Sequence, residues 1–130
     1  MSAYIKCKLE IKSVDMLKKV LDVMGLHYQE GQLIAKGYGS MKKAVDILIS
    51  KEELKKQGIF SWGDMGFSYN EKTQTYDAVI DESSKEVIGQ INQIYAVETI
   101  KNFATANRYN YTIIENNGNK MNQNTIIEVF

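Results

Sequence analysis

Residues 3–25, Ala-Tyr-Ile-Lys-Cys-Lys-Leu-Glu-Ile-Lys-Ser-Val-Asp-Met-Leu-Lys-Lys-Val-Leu-Asp-Val-Met-Gly, change from one hydrophobic period to another within a few positions. Ile5, Cys7, Leu9 and Ile11 alternate with Lys6, Lys8, Glu10 and Lys12, the pattern of a strand with one buried and one wet face over residues 3–12. Ser13 then offers a helix cap, Asp15 suits the positive end of the helix, and Val14, Leu17, Val20, Leu21 and Met24 form one apolar face. Gly25 ends that helix, because glycine takes the left-handed conformation of a C-terminal cap at low cost.

Reading outward, residues 26–38 suggest one or two strands broken at Glu30-Gly31, with a turn at Gly37-Tyr38-Gly39 and a short apolar strand over Ala44–Ile49. Ser50 and Glu53 have capping-box spacing before a helical turn that Gly58 closes. A loop over 59–66 carries Phe60 and Trp62, and residues 66–70 and 74–81 form a hairpin around Glu71-Lys72. Ser83 and Glu86 repeat the capping-box spacing at the start of a long helix running from about residue 84 to about Asn107. Two terminal strands, 110–115 and 125–130, flank Asn117-Gly118, a hairpin-turn signal. Strand, helix, four to five strands, long helix and strand pair predict an α+β fold. Its antiparallel sheet should carry two main helices on one face, in a single domain over residues 1–130.

The long helix has an unusual pattern. Ile88, Ile91, Ile94, Val97, Ile100, Phe103 and Ala106 recur every third residue. A helix advances about 100° per residue, so such a stripe winds around the axis. Ile88, Ile91, Ile94 and Tyr95 share one arc, whereas Ala96, Val97, Ile100, Phe103 and Ala104 lie mostly on the other side. The expectation is that Ile91 and Tyr95 bury against one layer, and Ile100 and Phe103 against another. A homo-oligomer interface is one source of that second layer.

The composition is that of a soluble globular domain: 44% hydrophobic, 25% charged and formally neutral. Zero net charge argues against duplex nucleic acid bound through a basic footprint. No apolar run approaches a membrane span, and the strand-like start lacks the apolar core of a signal peptide. The single cysteine forms no internal disulfide, so a reducing, cytoplasmic setting is expected. Asparagine, isoleucine and lysine abound while Arg108 is the only arginine, a bias fitting a low-GC bacterium or its phage.

Ile88-Gly-Gln-Ile-Asn-Gln-Ile-Tyr-Ala96 resembles the leucine-x-Gln-x-Tyr-Ala-Tyr stretch of the family catalogued as domain of unknown function 1257, which includes the hypothetical plastid reading frame ycf-thirty-five. Other segments are similar in the same order: Ile5-Lys6-x-Lys8 through Leu17-Lys18-Lys19, Gly37-Tyr38-Gly39, Ala44-Val45-Asp46-Ile47, Met65-Gly66-Phe67 and Tyr76-Asp77-Ala78-Val79-Ile80-Asp81. The C-terminal strand pair corresponds as well. The chain departs at Val97, where members usually have an aromatic, and at Gly39, where they often have arginine. The resemblance implies the fold more than an activity, since the family has no settled biochemistry. It also points to an AAA-type ATPase as a partner, because members sometimes occur near one.

No arrangement of residues dictates a reaction. One histidine, His27, and one cysteine, Cys7, do not make a usual zinc site, and neither a metal nor a cofactor is implied. A Cys7–His27 nucleophilic pair is conceivable, but Cys7 lies on the apolar strand face, which favours an inert thiol. Asp46, Asp64, Asp77, Asp81 and Glu82 are scattered, and Asp77 should face outward beside Val79. The Gly37–Lys43 segment lacks phosphate-loop spacing, yet its backbone N–H groups could meet an anion, or form a plain turn.

Lys6, Lys8 and Lys12 share a strand face that is either simply solvated or an electropositive surface. Trp62, with Phe60 and Tyr38, either stacks on a ligand or folds back onto the core. Arg108, at the helix end, either complements the dipole or grips a carboxylate or phosphate. Gln93 and Tyr95 lie about 200° apart on the helix, so they serve different sides. The expectation is a non-catalytic protein that sequesters an anionic or nucleotide-like signalling ligand as a homo-oligomer. Its ligand-binding candidates are Lys6, Lys8, Tyr38, Trp62, Asp77, Gln93, Tyr95 and Arg108. Two readings compete: an adaptor for another protein such as an ATPase, and a small enzyme of unknown reaction.

Overall fold

The computed structural model describes residues 3–106, 111–115 and 125–129, the last two segments as backbone only. The elements are β1 (Tyr4–Lys8), α1 (Val14–Val23), β2 (Gln29–Lys36), β3 (Lys42–Ile49), α2 (Lys51–Lys56), β4 (Met65–Asn70), β5 (Thr75–Asp81), α3 (Glu86–Ala106), β6 (Tyr111–Glu115) and β7 (Thr125–Val129). A 3₁₀ turn, Glu82–Ser84, leads into α3. The first five strands form one antiparallel sheet in the order β1-β5-β4-β3-β2, and β6 pairs with β7 in a separate ribbon. This is the α+β class expected from the element order.

One face of the sheet, here the inner face, carries the main core. Leu9, Ile11, Ile47, Ile49, Met65, Phe67, Ala78 and Ile80 bury there against Leu17, Val20 and Leu21 of α1 and Val87 and Ile91 of α3. Burying a large aliphatic or aromatic side chain contributes about 1.5–3 kcal/mol, so this cluster dominates folding. Ser13 caps α1 by accepting from the Met16 N–H at 3.1 Å, and Gly25 follows the helix at φ +72°.

Several boundaries differ from the sequence reading. β1 ends at Lys8, because the Leu9 N–H and the Ile11 carbonyl both bond to Tyr76, at 2.9 Å each, and bulge Glu10 outward. Residues 29–36 form one strand with a register shift between Glu30 and Leu33 around Gly31, whose φ is +134°. Ser50 caps α2 as expected, but Glu53 does not close the box: its carboxylate instead accepts the His27 N–H at 3.2 Å. Asp81, not Ser83, caps the turn before α3 by accepting the Ser83 N–H at 2.9 Å. The Asn117-Gly118 turn lies outside the described residues.

The wound stripe on α3 divides much as its geometry requires. Ile88, Ile94 and Tyr95 pack against the sheet core beside Val87 and Ile91. Further along that side, Glu98 is buried and paired with Lys19 of α1 at 3.3 Å and with Lys101 at 3.4 Å. On the opposite side, Val97 and Ile100 are half-buried and Ala104 fully buried, while β7 runs close along the helix. Phe103 departs from expectation: it is 55% exposed.

Candidate binding site

The outer face of the sheet is not an open lysine surface. Strict alternation would place Val45, Ile47 and Ile49 of β3 on one face. Ile47 and Ile49 do join the inner core, but Val45 joins an outer cluster with Ala35 and Val79, flanked by Tyr4, Leu33 and Leu48. The β3–β4 ladder stops at Ile47–Phe67. Beyond that point the Asp46 carboxylate takes the Tyr69 N–H at 3.0 Å, and the Ser68 hydroxyl bonds the Ala44 carbonyl at 3.2 Å. The far half of the β2–β3 ribbon therefore folds back across the outer face.

Glycines make room for it. A methyl group added to Gly66 would lie 2.3 Å from Val45 Cγ1, and one on Gly63 would lie 2.7 Å from Gly37 Cα. The ribbon tip is then tied down. Asp64 accepts the Lys36 N–H at 3.1 Å and the Lys51 N–H at 2.8 Å, while its own N–H bonds the Lys36 carbonyl at 2.9 Å. The Tyr4 hydroxyl donates to the Asp64 carbonyl at 2.6 Å. Burial, and then the nearby Asp64 and Asp81 carboxylates, push the Tyr4 phenol well above its ordinary value, so it stays a neutral donor.

Between the folded ribbon and strands β1, β4 and β5 lies a cavity of about 220 Å³, lined by Tyr4, Ile5, Lys6, Lys43, Ala44, Ser68 and Val79. Lys6 of β1, Lys43 of β3 and Ser68 of β4 are its polar lining residues, besides the Tyr4 hydroxyl, and the Ser68 hydroxyl donates to the Ala44 carbonyl. Beneath Lys6, Asp77 faces outward beside Val79 as expected, but it is buried: Lys6 sits 3.6 Å from its carboxylate and the Asn70 amide donates to it at 3.1 Å. The Asp77 carboxylate holds the Lys6 ammonium at the cavity wall. Lys6 and Lys43 are the cations among the cavity-lining residues, while Asp77 pairs with Lys6 and the Asp64 and Asp81 carboxylates act on Tyr4.

The structure brings together only part of the set singled out from sequence. Lys6 lines the cavity and Asp77 orients it; Lys8 lies two residues along the same strand and is exposed. Tyr38 and Trp62 meet at the ribbon tip, their rings edge-to-face at 5.7 Å, and Phe60 meets Trp62 edge-to-face at 5.3 Å. Trp62 is 45% exposed, so it does not fold back onto the core. Gln93 and Tyr95 belong to α3 on the inner side, away from this cavity, and Arg108 lies outside the described residues. The Gly37 N–H is committed to the Met41 carbonyl at 2.7 Å, so the Gly37–Lys43 segment acts as a turn that positions Lys43. Tyr4 and Ser68 were missed, and no local pattern marks either of them.

Cys7 packs half-buried at the edge of the core, and His27 is exposed at the exit of α1. Among the described residues no group of three or more His, Cys, Asp and Glu converges on a metal position. None of the described helices is long and apolar enough to cross a membrane.

Fold and cavity define a small α+β protein whose antiparallel sheet is covered by helices on one face and by its own folded ribbon on the other. The family model for Protein of unknown function (DUF1257) matches residues 20–127, and the chain belongs to that family. No curated protein and no solved structure matches it.

Proposed function

We propose that this protein is a non-catalytic binding protein that holds a small anionic ligand in the outer-face cavity, with the anionic group between Lys6 and Lys43. The observation that carries this reading is that two lysines and Ser68, from β1, β3 and β4, line one partly open cavity. The volume, about 220 Å³, falls below the roughly 300–1,000 Å³ of pockets that enclose drug-sized ligands. A phosphate or carboxylate group with a small body fits inside, and the remainder of a nucleotide-like ligand would project to the surface. A cytoplasmic setting in a low-GC bacterium or its phage, and a role in sequestering a signalling nucleotide, belong to the same reading. Self-association belongs to it as well.

Native mass spectrometry of the purified protein, followed by calorimetric titration with inorganic phosphate and nucleoside monophosphates, tests the reading. The expected result is saturable binding that Lys6→Ala and Lys43→Ala each weaken about tenfold or more, from loss of a charge-assisted contact. Binding unchanged in the double variant, or no binding with a protein partner recovered instead, moves the assignment to the adaptor reading.

A further inference from the structure

A second surface, distinct from the cavity, lies where the ribbon tip, α2 and the loop before β4 converge on Asp64. It exposes Tyr38, Phe60 and Trp62, at 50%, 62% and 45%. Exposed lysines lie on the same elements as these rings or on elements next to them. Lys36 and Lys42 face each other directly across the β2–β3 ribbon, and Lys51, Lys55 and Lys56 project from α2; all are exposed. Among the described residues none of these lysines has a carboxylate within ion-pairing distance, whereas Lys6, Lys18, Lys19 and Lys101 each do. Like charges directly opposed across a strand pair are unfavourable for folding alone. Two nearby carboxylates are turned to other work: both oxygens of Asp64 accept backbone N–H groups, and Glu53 accepts the His27 N–H; the exposed Glu52 of α2 is the remaining acidic group there.

We propose that this surface binds single-stranded nucleic acid, with bases stacking on Tyr38, Phe60 and Trp62 and backbone phosphates meeting the unpaired lysines. The chemistry separates the candidate partners. Protein interfaces are depleted in lysine, and this surface is rich in it. Duplex offers no free base faces, so the exposed rings would go unused. Exposed aromatic rings together with lysines match the requirements of an unpaired strand, whose every base carries a π-face. Formal neutrality of the whole chain is no obstacle, because the positive charge is local.

Trp62 is the only tryptophan, so its fluorescence reports stacking directly. The test is quenching by a thymidine oligonucleotide of about 12 residues, within the range of single-strand site sizes. Saturable quenching is expected at low salt. With about four phosphates neutralised, affinity should fall about fiftyfold between roughly 50 and 200 mM salt. Phe60→Ala should weaken binding about fivefold or more, and so should the paired change Lys55→Ala with Lys56→Ala; all three side chains are exposed and these variants keep the fold. Lys6→Ala should leave quenching unchanged, which separates this surface from the cavity. Absence of quenching, duplex bound as tightly as single strand, or oligoglutamate quenching as tightly as the oligonucleotide would each overturn the proposal.

Discussion

Replacing Gly66 by alanine should lift the β2–β3 ribbon off the outer face of the sheet. The new methyl group would lie 2.3 Å from Val45 Cγ1, 2.9 Å from Val45 Cβ and 3.0 Å from Val45 Cγ2, all atoms of the ribbon folded over the outer face. Overpacking of this kind costs about 1–3 kcal/mol, and so close a contact places it near the top. Alanine also restricts the unfolded chain, which offsets about 0.4–1 kcal/mol. The net loss should be about 2 kcal/mol, a fall of roughly 8 °C in melting temperature for a domain of this size. Val45→Ala alone should cost about 1–2 kcal/mol for two buried methyl groups. It removes both Cγ contacts, so the double variant should be more stable than the sum of the single losses by about 1–2 kcal/mol. Urea unfolding of the four proteins completes the cycle. Strict additivity would show that the ribbon does not lie on Gly66, and the cavity it roofs would go with it.

Asp64→Ala should lower stability by about 2 kcal/mol in the same urea assay, since it strips the acceptor from two backbone N–H groups. Glu98→Gln should cost about 1 kcal/mol by weakening the pairs that join α1 to α3, the lysines remaining partly solvated; a salt titration should narrow the difference from wild type. Alkaline pH should destabilise the protein. The Tyr4 phenol is raised in the folded state, so folded molecules hold a proton that unfolded ones release, and stability falls as pH rises past the unfolded value of 10.0. Tyr76 and Tyr28 are raised in the same direction, so Tyr4→Phe should reduce the slope of stability against pH above that point without abolishing it.

Local periodicity explains what could be read without coordinates. Ile5 through Ile11 and Leu17 through Leu21 declare their buried faces, because neighbouring side chains alternate or rotate regularly about a strand or helix. The winding of the α3 stripe likewise placed Ile91 and Tyr95 on the sheet side. The folding-over of the ribbon was not legible. Val45, Ile47 and Ile49 have the same parity, and only contacts with Gly66 and Val79, distant in sequence, turn Val45 to the other face. The cavity inherits that long-range origin: Lys43 reads as part of a turn and Ser68 as an ordinary strand residue until the ribbon carries Lys43 over Lys6. Gln93 and Tyr95 drew attention through the resemblance; both lie on α3, away from the cavity, and Tyr95 packs against the sheet core.

The central claim is that the outer-face cavity receives an anion. Amide chemical shifts followed by two-dimensional NMR during titration with inorganic phosphate test it most directly. Lys6, Lys43, Ala44 and Ser68 should shift together along one saturating curve that Lys6→Ala flattens. Shifts that never saturate, or that cluster on α3 while these amides stay still, would contradict it.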